Sequence, residues 1–231
     1  MPAAPRRRNI AGVTTTTAVV DTGLDRPPHR LARRIGWGSM TVLSLAVGAY
    51  AIFLVATGFR FVPASVSGNG FPTALGLRTH IAAAGLSLVA GPFQFLRPLR
   101  RRFPVAHHGI GAVYIVAALV GGTAAGLIAL FTTGGTVAGV GFLAGAVAWL
   151  TCTIVALVAV KRRDFLAHQR WMIRSWAIAF GAVTLRLYLP GAMAAGFEFA
   201  QVYPYVAWLC WVPNLLVAQL FVRRARGAAD F

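Results

Sequence analysis

The sequence predicts an all-α integral membrane bundle of six transmembrane helices, and three observations carry that expectation. Hydrophobic residues fill 58% of the 231 positions and charged ones only 12%, whereas soluble domains are roughly a quarter charged. The apolar residues fall in uninterrupted runs, and a helix needs about 20 of them to cross the hydrocarbon core. The 22 Lys and Arg, against 5 Asp and Glu, gather at alternate ends of those runs. Such a chain is too apolar to be disordered. Its two cysteines, Cys152 and Cys210, lie inside apolar runs, which excludes a disulfide scaffold and a cysteine metal site.

The runs follow in order. The first, Trp37–Thr57, is free of charge. The second, Thr79–Leu96, holds His80 and Gln94. No charged residue occurs between Gly109 and Val160, a stretch too long for one span. Thr132-Thr133-Gly134-Gly135 divides it into spans near 109–131 and 137–160. The fifth run, near 170–189, carries Arg174 and Arg186. The sixth, near 200–222, is expected to bend at Pro204 and Pro213. Six spans leave no room for a soluble catalytic domain.

The basic residues set the expected orientation. Eighteen of them fall before span one, between spans two and three, between spans four and five, or after span six. Only Arg60 and Arg78 stand on the other side. The positive-inside rule therefore places both termini in the cytoplasm of a plasma-membrane protein. The lipid bilayer is the expected partner, with anionic lipid headgroups against the basic loops. The same asymmetry explains the net charge of +17 without nucleic acid as a partner. Residues 1–35 read as a disordered basic cytoplasmic tail, 36–222 as the membrane domain, and 223–231 as a short basic tail. Arg6-Arg7-Arg8 hints at an export signal, but no apolar segment follows before Asp21. Gly68-Asn69-Gly70 and Pro72 mark turns in the first external loop.

Two basic loops match. Arg101-Arg102-Phe103-Pro104-Val105-Ala106-His107 and Arg162-Arg163-Asp164-Phe165-Leu166-Ala167-His168 share R-R-x-x-x-A-H at an offset of 61 residues. The offset is about one helical hairpin. It suggests an internal repeat of spans two–three and four–five about an axis along the membrane normal. Chance recurrence in basic loops is the competing explanation.

Polar side chains inside spans are costly and usually face a bundle interior or water. At 100° per residue, His168, Met172, Ser175, Ala179 and Arg186 fall on one stripe of span five. Span two shows His80, Ala84, Ser87, Gly91 and Gln94, and span three shows His107, Gly111, Tyr114, Ala118, Gly121 and Ala125. Small residues on such stripes also serve close helix packing. By depth there are two layers. The inner one holds Gln94, His107, His108, His168 and Arg174. The outer one holds His80 and Arg186, with Glu198 near enough in sequence to pair with Arg186. Simple snorkelling of Arg174 and Arg186 to the two interfaces is the plain alternative.

Neutral histidine is a common metal and haem ligand. The leading expectation is a redox-type protein binding one b-type haem, or a quinone, through His107 and His168. Arg174 then serves propionates or the quinone, and His80 with Arg186 forms an outer polar site. The alternatives are a small-molecule or proton transporter, or a non-catalytic membrane scaffold. No nucleophile elbow, phosphate loop, dinucleotide fingerprint or H-E-x-x-H occurs, and no metal site beyond haem is expected.

One set of residues is familiar: Thr79-His80, Gly91-Pro92-Phe93-Gln94-Phe95 and His107-x-x-x-Gly111-x-x-Tyr114. His168-Gln169-Arg170-Trp171-Met172-Ile173-Arg174-Ser175, Thr184-Leu185-Arg186 and Trp211-Val212-Pro213-Asn214-Leu215 complete it. Over about residues 40–222 the chain resembles a bacterial family of predicted membrane proteins of unknown function. The resemblance implies that His80, His107, His168, Arg174 and Arg186 are that family's characteristic polar positions. The chain departs at His108 and Gln169, where the family usually has Arg. The family supplies no activity, and its likeness to four-helix b-type cytochromes is analogy.

Overall fold

A computed structural model describes residues 29–62 and 73–225. Residues 1–28 and 226–231 of the expected tails, and the turn signals at 68–72, lie outside the described residues. The described residues up to Trp37 belong to one unit and those from Gly38 onward to another. Among the described residues every regular element is helical. They are α1 (His29–Ala56), α2 (Thr73–Gln94), the short α3 (Arg97–Arg102), α4 (Pro104–Ala129) and α5 (Gly135–Lys161). They continue as α6 (Phe165–Ala179), α7 (Gly181–Ala194), α8 (Phe199–Leu209) and α9 (Val212–Arg224). Residues 29–35, expected at the end of the tail, are the first turns of α1.

Six stretches are long and apolar enough to cross a membrane, the fifth being α6 with α7 and the sixth α8 with α9. They run past the ends read from the sequence, to Arg34, Thr73, Lys161, Phe165 and Arg224. A charge ends an apolar run but not a helix, because long basic side chains reach water from inside the helix end. Span five breaks at Phe180, which no proline or glycine run announced. Span six breaks at Cys210–Trp211, and Pro213 starts α9 where its missing N–H costs nothing. Pro204 lies inside α8.

The outside of the bundle is apolar and the inside is small. On α4, Val113, Val116 and Val120 are exposed, while Ala117, Ala118, Gly121 and Gly122 are buried. That pattern suits a helix with lipid on one side and close helix contacts on the other. Helix α2 lies antiparallel along α4, and α5 pairs with α4, α6 and α8. Helix α1 packs on α2 so closely that a Cβ on Gly48 would stand 2.6 Å from Val89. The buried Ser44 hydroxyl donates to Leu88 O at 3.0 Å across the same seam.

The two matching loops build matching helix starts. Helix α4 begins at Pro104 behind Phe103, and α6 begins at Phe165 behind Asp164. Proline presets the first turn of α4, whereas Asp164 accepts from Ala167 N at 2.9 Å and caps α6. These starts, α3 and the end of α9 mark a basic end of the bundle. On α3, burial foremost, then Arg97 and Arg101, hold the Arg100 guanidinium below its usual pKa.

Candidate functional site

Seven residues advance a helix by about 10 Å, and the polar groups recur at that step. Helix α2 carries His80, Ser87 and Gln94; helix α4 carries His107, Tyr114 and, at Gly121, a carbonyl acceptor. Because the helices are antiparallel, Gln94 meets His107, and His80 meets Gly121. The result is three polar layers, one at the basic end, one in the middle and one at the opposite end.

The middle layer is a closed chain of hydroxyls. Tyr114 Oη lies 2.9 Å from Ser175 Oγ, and Ser175 Oγ lies 2.8 Å from Thr153 Oγ1. Thr153 donates to Trp149 O at 2.8 Å. All three residues are fully buried, at 0% exposure. Each hydroxyl has one proton, and a carbonyl only accepts. With the Thr153 proton on Trp149 O, Ser175 donates to Thr153 and Tyr114 donates to Ser175. Helices α4, α5 and α6 are joined by this one directed chain. Tyr114 and Ser175 are also 61 positions apart, the offset of the two loops. Trp149 and Trp176 stand in the same core cluster, and the Trp176 indole Nε1 is buried without a partner.

At the basic end, His168 Nδ1 lies 2.9 Å from Ala156 O. A carbonyl demands a donor, so Nδ1 carries the proton and a neutral ring leaves its lone pair on Nε2. His107 is held differently. One orientation of the Gln94 amide satisfies both of its ends. Its nitrogen donates to His107 Nδ1 at 3.2 Å and His107 O at 3.3 Å, and its oxygen accepts from Gly111 N at 3.2 Å. There Nδ1 accepts, and a neutral His107 carries its proton on Nε2. His108 is exposed beside His107, with ring centroids 5.9 Å apart.

Arg174 is turned toward α9. Its Nε donates to Gln219 Oε1 at 2.8 Å and its Nη1 to Arg170 O at 3.2 Å. The guanidinium stacks 4.6 Å from the Trp171 ring centre. At the opposite end, His80 Nδ1 lies 2.9 Å from Gly121 O, again leaving the lone pair of a neutral ring on Nε2. Arg186 bonds elsewhere, to Ala182 O at 3.0 Å, and lies 6.0 Å over the Tyr50 ring. Glu198, expected near Arg186, caps α8 in a reciprocal arrangement with Gln201.

Residues with little signal of their own in the sequence complete these layers. Thr153 partners Ser175 and Gln219 partners Arg174, and Trp149 O in turn accepts from Thr153. A lone polar residue in an apolar helix was the available signal, and it is weak because Ser and Thr also bond their own helix. Asn214 was noted without a role; it donates to Thr184 Oγ1 and to Cys210 O, each at 2.9 Å, tying α7 to the break in span six. Gly181 sits at the other break, where a Cβ would stand 3.1 Å from Cys210 O. Among the described residues no three His, Cys, Asp or Glu side chains gather as a metal site would require.

Compared with known proteins, residues 77–222 match the family described as predicted membrane protein, DUF2306. No curated protein and no solved structure matches the chain.

Proposed function

The chain belongs to the DUF2306 family of predicted membrane proteins, and we propose that its bundle handles protons, moving them alone or with a small solute. The observation that carries this reading is the stacking of two histidine layers about a dry hydroxyl layer. His168 and His80 each set Nδ1 against a backbone carbonyl, so that the neutral form of either ring has its lone pair on Nε2. Each is then a base set inside a span, and ionisable groups there mark ion and proton paths. The middle layer ends on a carbonyl, so in this arrangement no proton passes through it. This is the closed state, and conduction requires the hydroxyls to reorient.

The positive-inside rule gives the direction. The basic end faces the cytoplasm, both termini lie inside, and the basic loops rest on anionic headgroups of the plasma membrane. His107, His168 and Arg174 then form the cytoplasmic layer, with His80 and Arg186 at the outer one. Tyr114 and Ser175 are equivalent positions under the 61-residue offset and bond each other. Equivalent residues meet in this way on a two-fold axis, which supports a repeat of two hairpins about the membrane normal.

A b-type haem between His107 and His168 fits these residues poorly. Both Nε2 atoms would have to offer a lone pair. The Ala156 carbonyl leaves that lone pair on a neutral His168, whereas the Gln94 amide leaves a proton there on a neutral His107. A donor on one ring and an acceptor on the other suit a proton, a water or a carbonyl-bearing solute better than a haem iron.

The test is proton uptake into proteoliposomes driven by a potassium diffusion potential. His168→Ala and His80→Ala are each expected to fall to the rate of empty liposomes, while Glu198→Gln keeps the wild-type rate. Wild-type rates in both histidine variants would overturn the reading.

A further inference from the structure

The basic end holds a second constellation, of which the proton reading takes in only Arg174. Arg170 and Arg174 stand one turn apart on α6, and Gln219 and Arg223 stand one turn apart on α9. The helices are tied together there by Arg174 Nε to Gln219 Oε1 at 2.8 Å and by Arg170 Nη2 to Ala225 O at 3.5 Å. Two guanidinium groups, of Arg170 and Arg174, thus meet at one helix–helix corner, and the exposed Arg223 stands one turn beyond Gln219 on the facing helix.

The described acids are engaged elsewhere, since Asp164 caps α6 and Glu198 caps α8. Arg170 Nε is buried with no acceptor, and an unpartnered buried donor of a charged group is costly. Arg174 lies nine residues beyond Phe165, about 13 Å into the span, where positive charge is expensive without a counter-charge. Trp171 stacks on Arg174 at 4.6 Å and fixes the plane of its guanidinium. Planar guanidinium forks match the paired oxygens of a phosphate.

We propose that this α6–α9 corner binds a phosphate-bearing anion through Arg170, Arg174 and Arg223, and that in the membrane the anion is a phospholipid headgroup. The anion offsets part of the positive charge at the corner and gives Arg170 Nε an acceptor. The proposal stands on these contacts and is independent of proton transfer.

The experiment reads the thermal unfolding midpoint of the full chain in three settings. They are bilayers of phosphatidylcholine alone, the same with phosphatidylglycerol added, and phosphatidylcholine with inorganic phosphate. The wild type is expected to unfold at a higher temperature with phosphatidylglycerol. Arg170→Gln with Arg223→Gln should lose that rise, and Arg60→Gln with Arg78→Gln at the opposite end should keep it. A rise with inorganic phosphate alone would identify free phosphate as the source of the anion. The absence of any rise, an undiminished rise in the α6–α9 variant, or an equal loss in the Arg60, Arg78 variant would each overturn the site. Should the double variant fail to fold, Arg223→Gln alone carries the same comparison, with phosphatidylglycerol retention read by native mass spectrometry.

Discussion

Gly91→Leu is expected to unfold the bundle, and even Gly91→Ala should cost about 1–3 kcal/mol as an overpacked core position. The Cδ1–Nε1 edge of the Trp176 ring is pressed against α2, so a Cβ on Gly91 would overlap both atoms. The ring has no way out. Phe95 meets it edge-on and Phe180 tilts against it, each with centroids 5.4 Å apart, and Trp176 is only 6% exposed. Helix association in a bilayer rests on such close contact rather than on exclusion of water, so lost contact is not regained by hydrophobic collapse. Trp176→Leu in the Gly91→Ala background should recover part of the loss, because the two positions share one space. Coupling between touching residues reaches about 0.5–3 kcal/mol. Detergent-titrated unfolding of the two single variants and the double variant measures it. Additive losses would show that Trp176 does not lie on Gly91.

The hydroxyl chain gives the second large effect, and its direction makes the order of costs specific. Ser175→Ala leaves the Tyr114 hydroxyl proton without an acceptor. Thr153→Val does the same to Ser175. Each strands a donor at 0% exposure, and such a group costs about 1–3 kcal/mol. Tyr114→Phe strands no donor, because Ser175 still gives its proton to Thr153. It should therefore be the mildest of the three. The triple variant Tyr114→Phe, Ser175→Ala, Thr153→Val removes every member at once and should cost less than the sum of the single losses. The same unfolding titration reads all four. If Tyr114→Phe were the most damaging, the proton order along the chain would be reversed.

Much of the fold was legible because bilayers impose simple rules. Length and hydropathy marked the six spans, and the Thr132–Gly135 break fell where α4 gives way to α5. The ends were read short, since Arg34, Lys161 and Arg224 belong to helices whose charged tips reach out of the membrane. The break at Phe180 was illegible because its cause is tertiary: Gly181 lies against Cys210 O. The stripes holding Tyr114, Ser175, His80 and Gln94 were legible from helical phase. The members of each layer that sit alone on their helices, Thr153 and Gln219, were not. Nor was the difference between His107 and His168, which are alike in motif but are held by an amide in one case and a carbonyl in the other.

The most direct test of the account is the initial rate of proton entry into liposomes holding the wild-type chain, read with a trapped pH dye after valinomycin sets the potential. The control is the His80→Ala, His168→Ala double variant, admitted once its unfolding midpoint equals that of the wild type. The account predicts a wild-type rate well above the double variant, with the double variant no faster than empty liposomes. Equal rates for wild type and double variant would contradict it, and the two histidine layers would then be elements of packing alone.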